Sequence, residues 1–167
     1  MIKKIIVLDR FGAAKLMPEK KTILMRIFSS DVFTNMTYPR LNYGEEFYRI
    51  FEYSFDDLTP FDIKELEEEG EDTRKLKLFS VGAAERIIRD FKGVYREAEC
   101  FVCHCKEGRN RSPALAAGLN HAFGLEIPDE DYLDLSYHEP NMHVYRTILR
   151  VARERCGMKF KSSWPGE

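Results

Sequence analysis

A chain of 167 residues, 44% apolar and 32% charged, has the length for one ordinary core and the composition of a folded domain rather than a disordered one. Its net charge of −2 leaves no overall basic field to attract nucleic acid. No apolar run approaches the about 20 residues that a membrane-spanning helix needs.

The N-terminus, MIKKIIVLDRFG, holds four apolar residues, Ile5 to Leu8, before Asp9 and Arg10 end the run. That is too short for a signal-peptide core, and no small-residue cleavage site follows closely. The expectation is a cytoplasmic protein with reduced thiols and with neither membrane nor nucleic-acid partners. KIIVL (4–8), TILMRIF (22–28), YRIFEYSF (48–55) and CFVCH (100–104) read as strands. The first, second and fourth are apolar without clean alternation, as in a sheet buried on both faces.

Ser29 to Gly44, broken by Pro39 and Gly44, reads as loop with one turn of helix. Residues 56 to 72 are dominated by Asp and Glu and read as an acidic loop or short surface helix. FSVGAAERIIRDFKGVY then carries Val81, Ala84, Ile87, Ile88, Phe91 and Tyr95 at helical spacing, with Ser80 as N-cap. SPALAAGLNHAF opens with Ser112 as N-cap and Pro113 at the first helical position. DEDYLDLSY and MHVYRTILRVARER read as two further helices. The last of these carries Arg146, Arg150, Arg153 and Arg155 and is expected to pack partly inward, which makes it a poor nucleic-acid stripe. Interleaved strands and helices imply a single-domain α/β fold over residues 1–160, with a largely parallel sheet of four to five strands flanked by helices. Residues 161–167 read as a tail, in which Trp164 is the one candidate for docking.

The densest chemistry lies in CFVCHCKEGRNRSP, Cys100 to Pro113. Cys100, Cys103 and His104 spell C-x-x-C-H, the attachment pattern of a c-type haem, but no export signal accompanies them. Three cysteines and a histidine suggest zinc. Strand alternation, however, points Cys103 and Cys105 to one side and His104 to the other, and a fourth ligand would have to come from Cys156 or a distant histidine. The third reading is C-x5-R, from Cys105 to Arg111, on a loop that leaves an apolar strand and enters a helix. Backbone N–H groups of such a loop and the helix N-terminus cradle an anion of phosphate size. Gly108 supplies a conformation that a Cβ would obstruct. Helix N-termini and nearby cations favour a thiolate, and Cys105 stands in that field. Arg111 offers a bidentate fork to phosphate oxygens. Ser112 can donate a hydrogen bond to the sulfur. Cys100, Cys103 and Cys156 read as packing residues, with one of the first two as a resolving partner in a minority reading.

HCKEGRNRS resembles the H-C-x5-R-S signature of the cysteine-based protein tyrosine phosphatases, most closely the small dual-specificity group. EPNMHVYRTIL resembles that group's late helix, which starts at Pro-Asn. The resemblance is strong at the loop and loose elsewhere from Tyr48 on. It implies a phosphocysteine mechanism with Cys105 as nucleophile, and a phosphate-binding loop of Lys106, Glu107, Gly108, Arg109, Asn110 and Arg111. It implies Ser112 as helper of the leaving thiolate, His104 and Asn141 as structural support, and no metal or other cofactor. It also implies an upstream Asp as general acid. Asp57, just past the third strand, is preferred because a strand end holds a side chain firmly. Asp56 would then be its solvent-facing neighbour. Asp72 is the alternative, since its distance in sequence from Cys105 is the one usual in the resembled group.

The expected activity is hydrolysis of phosphotyrosine in a phosphorylated protein, with phosphoserine and phosphothreonine open. Lys106 and Arg109 at the mouth keep a phosphoinositide open, and Asn110 keeps an RNA 5′-phosphate open. A non-catalytic phosphate-binding module is the rival reading. A rhodanese-like sulfur carrier fits the flanking residues less well.

Overall fold

Four strands form one parallel sheet: β1 (Lys4–Leu8), β2 (Thr22–Phe28), β3 (Arg49–Ser54) and β4 (Cys100–His104), in the order β1-β4-β2-β3. The structure is a computed structural model that describes residues 1–30 and 38–160. The centre of the loop after β2 and the expected tail with Trp164 lie outside the described residues. The sequence pattern follows the strand order. The central strands β2 and β4 are mostly buried on both faces and read as apolar runs interrupted only by Arg26 and closed by His104. The edge strand β3 keeps Arg49 and Glu52 in solvent, as an edge must to discourage further pairing.

Helices α1 (Arg10–Lys15), α2 (Pro60–Glu68), α3 (Val81–Lys92), α4 (Arg111–Phe123) and α5 (Met142–Glu154) complete the fold. α3, α4 and α5 pack on one face of the sheet, where Phe101, Cys103, Ile87, Phe91, Leu115 and Ile148 belong to the main core. Gly118 sits where an added Cβ would lie 3.1 Å from Ile148, so α4 and α5 approach closely because that position has no side chain. The opposite face holds a minor cluster of Leu24, Phe47 and Val102, with Cys100 at its edge.

Several expectations need correction. α1 was not anticipated: Asp9 caps it by accepting the Gly12 N–H, and six residues give too little periodicity to read. DEDYLDLSY forms one 3₁₀ turn at Asp129–Asp131, not a helix. The Asp134 carboxylate accepts from both the N–H and the hydroxyl of Ser136, a local bond that competes with helix, and Leu135 stays exposed. α5 packs Val144, Ile148 and Val151 inward while Arg146, Arg150, Arg153 and Arg155 all remain exposed. No helix among the described residues is long and apolar enough to cross a membrane.

Candidate active site

The carboxyl end of the sheet is where β4 delivers Cys105, and α4 begins six residues later. Gly108 turns the loop between them with φ +71°. A Cβ there would lie 2.7–2.8 Å from the backbone of Leu8 and Asp9, so the loop presses against the end of β1 at a point only glycine can occupy. The Arg10 N–H donates to the Lys106 carbonyl at 3.3 Å and adds a second tie to the same strand end.

Within this frame Cys105 is 2% exposed. The Ser112 hydroxyl lies 3.3 Å from its sulfur and donates to it. Ser112 is therefore not the N-cap: α4 starts at Arg111 with Asn110 in the cap position, and the hydroxyl is spent on sulfur rather than on the helix end. Arg111, 4% exposed, is fixed by donating to the Phe55 carbonyl at 2.7 Å, while its Nε–H has no partner among the described residues. An unpartnered buried N–H is costly, and here it belongs to a guanidinium lining a polar pocket.

That pocket, about 230 Å³, is lined by Ser29, Asp57, Cys105, Lys106, Glu107, Asn110 and Arg111. The three residues after β3 divide the work of building it. The Phe55 carbonyl takes Arg111. Asp56 turns inward: it is buried and accepts from the Ser30 N–H at 2.8 Å, the Ser30 hydroxyl and the Lys77 N–H at 2.8 Å. The expectation of a solvent-facing Asp56 is thus reversed, because a carboxylate with three donors is satisfied inside. Asp57 faces the pocket and accepts from Asn141 Nδ2 at 2.9 Å. The Asn141 amide cannot turn, since its oxygen caps α5 by accepting the N–H groups of His143 and Val144.

Asp72 lies elsewhere. It is exposed, caps the 3₁₀ turn Thr73–Lys75, and pairs with Arg74 at 2.8 Å, whose hydrogen bond lowers its pKa. It does not line the pocket.

The segment after the 3₁₀ turn of residues 129–131 holds the outer rim. Glu139 pairs with Arg109 at 2.5 Å, its N–H donates to the Arg109 carbonyl, and its carbonyl accepts from the Asn110 side chain at 3.0 Å. The Tyr137 hydroxyl donates to the Glu107 carbonyl at 2.9 Å. Of the basic loop residues, Arg109 is paired through Nη2 with Glu139 while its buried Nε–H, like that of Arg111, has no partner among the described residues; Arg111 and Lys106 line the pocket.

The inner side rests on His104, 1% exposed. Its Nδ1 is 3.4 Å from the Cys105 carbonyl, and its Nε2 accepts from Arg26 Nε at 3.2 Å. Burial pushes its pKa down to about 4, with the charge of Arg26 acting in the same direction, so it is neutral near pH 7. Cys103 is fully buried, and burial raises its thiol pKa. Arg26 and Glu139 went unnoticed in the sequence. The only hint of Arg26 was a charge inside an otherwise apolar central strand; Glu139 gave none.

No family model matches the chain, and no curated protein matches it. Its structure aligns with a solved one described as "Crystal structure of Tk-PTP in the active form", over 89% of this chain and 91% of that chain, with a TM-score of 0.47 and 10% sequence identity.

Proposed function

We propose that this chain is a cysteine-dependent phosphomonoester hydrolase, acting on a phosphorylated protein through a phosphocysteine intermediate. One observation carries the reading: Cys105, Arg111 and Asp57 line a single small polar pocket, with the Ser112 hydroxyl on the sulfur and a buried Arg111 N–H that has no partner among the described residues. In this reading the Cys105 thiolate attacks phosphorus, and Arg111 and the loop N–H groups hold the non-bridging oxygens. Asp57 gives its proton to the leaving oxygen as the P–O bond breaks. Asp57, now a carboxylate, then takes a proton from the attacking water. Phosphate departs, and Ser112 donates to the sulfur as the thiolate is released. Asn141, bound to one Asp57 oxygen, leaves the other for the proton transfer.

The rim favours a single phosphate over a polyanion. Arg109 does not line the pocket and gives its Nη2 to Glu139, and the Asn110 Nδ2 donates to the Glu139 carbonyl. Both observations weigh against the phosphoinositide and RNA 5′-phosphate readings. The retained nucleophile and the pocket-facing Asp57 weigh against a binding module without turnover.

Hydrolysis of a small aryl phosphate by the wild type and by Cys105→Ser tests the reading. Turnover should fall to background in the variant, and a rapid acid quench should trap phosphate on sulfur in the wild type. Equal turnover in the two proteins would remove the mechanism.

A further inference from the structure

We infer that Arg26, on the neighbouring strand, is a positioning residue for the anion loop. Its Nε–H holds His104 in the tautomer whose Nδ1–H binds the Cys105 carbonyl, and so sets the direction of the first loop N–H. The effect on turnover rests on the phosphatase reading; the tautomer and the loop direction do not.

Arg26 of β2 lies directly across from His104 of β4 on one side and from Glu52 of β3 on the other. A guanidinium is a donor only. With Arg26 Nε 3.2 Å from His104 Nε2, that ring nitrogen must be the bare acceptor, and the proton of a neutral imidazole falls to Nδ1. Nδ1 is the nitrogen 3.4 Å from the Cys105 carbonyl.

Arg26 is itself held from several directions. Nη1 pairs with Glu52 at 2.9 Å, Nη2 reaches the Pro39 carbonyl at 3.4 Å, and the guanidinium lies 5.0 Å from the centre of the Phe28 ring. Its side chain is only 13% exposed. Lysine could not replace this arrangement, because one ammonium lacks the planar fork that reaches His104 and Glu52 together.

The consequence reaches the loop through peptide geometry. In a planar trans peptide the carbonyl of Cys105 and the N–H of Lys106 point in opposite directions, and the chain has no cis peptide bonds among its described residues. A carbonyl tied back to His104 leaves the Lys106 N–H turned away from it. A carbonyl free to rotate would bring its negative end toward an anion in the loop. The Arg10 N–H on the Lys106 carbonyl fixes the next peptide from the β1 side. Among the described residues, the groups facing His104 besides Arg26 are Asp9 at the end of β1, whose charge favours protonation, and the Tyr38 ring, 6.0 Å away. Burial and Arg26 outweigh Asp9, and the ring stays neutral.

Nitrogen-15 NMR of the histidine rings in the full chain tests this directly. The wild type should show His104 protonated at Nδ1 and bare at Nε2 from pH 5 to 8. Arg26→Met and Arg26→Lys should both lose that single tautomer, and both should bind inorganic phosphate about tenfold more weakly, as for a lost charge-assisted hydrogen bond. A wild-type His104 protonated at Nε2 would overturn the inference even if neither variant folds. So would an Arg26→Met protein that keeps the Nδ1–H form and wild-type phosphate affinity. Glu52→Gln, which loosens Arg26 from the solvent side, should produce a smaller shift in the same direction. If Cys105→Ser retains turnover while these results hold, the phosphatase reading fails and the role of Arg26 in building the anion loop stands.

Discussion

Two regions of this molecule are rich in charge, and they use it in opposite ways. The acidic excursion from Asp62 to Arg74 keeps its charges in water: Lys64 with Glu68 and Asp72 with Arg74 are exposed pairs, each of small energetic consequence. The layer at the carboxyl ends of the strands buries part of its charge, while Asp57 and Glu107 stay exposed. Arg26, His104, Asp56 and Arg111 each meet defined partners drawn from a different strand or loop. A count of acidic residues would put the site in the excursion. Burial with directed hydrogen bonds, together with a polar pocket, puts it at the strand ends, since misplacing a group there leaves a polar atom without a partner.

Replacing one carboxylate in each region is the strongest way to break that contrast. Asp57→Asn should lower kcat by about 10²–10⁴-fold, or about 3–5 kcal/mol in the barrier, on a phosphate ester with a poor leaving group. It should cost much less on an activated aryl phosphate that needs no proton. Equal losses on both substrates would show that Asp57 is not the acid.

A smaller effect concerns His104 and pH. Its pKa is about 4 in the folded chain, against about 6.5 for a free histidine. On acidification the unfolded chain takes up the proton first. Stability is therefore complete above about pH 6.5, declines as pH falls toward 4, and levels off below, with a limiting loss of about 3 kcal/mol from this group. Urea unfolding at pH 7, 5.5 and 4 should show that decline, and His104→Gln should remove it. An identical slope in the two proteins would mean that His104 is not the buried neutral group described.

The smallest effect belongs to the excursion. Asp72→Asn should leave turnover on both substrates at the wild-type level, because its carboxylate serves only the turn at 73–75 and Arg74. A leaving-group-dependent loss in Asp72→Asn, with none in Asp57→Asn, would reverse the assignment of the acid.

Much of this was legible in the residues, and particular residues show why the rest was not. The strands at 4–8, 22–28 and 100–104 were readable to the residue: β2 and β4 are central and demand apolar side chains on both faces, and β1, though an edge, is a short apolar run ended by Asp9. The third was off by one residue at each end, as expected of an edge strand with mixed polarity. The segment 129–137 misled because Tyr132 and Leu133 mimic a helical face, while Asp134 forms its own turn. Ser112 looked like a cap because the sequence marks the end of the loop without saying whether its hydroxyl turns to the helix or to sulfur.

The sequence by itself determined the loop: a cysteine, a glycine and an arginine at set spacing between an apolar strand and a small-residue helix. Those are local constraints, carried by backbone conformation and by side-chain alternation along one strand. Only the tertiary structure decided which of Asp56, Asp57 and Asp72 faces the pocket, that Arg109 is tied to Glu139, and that Arg26 sits on His104. Each of those depends on strand order and on the close approach of segments far apart in the chain. No local pattern encodes that, because a carboxylate or guanidinium acquires its role from whichever partner the fold brings within hydrogen-bonding distance.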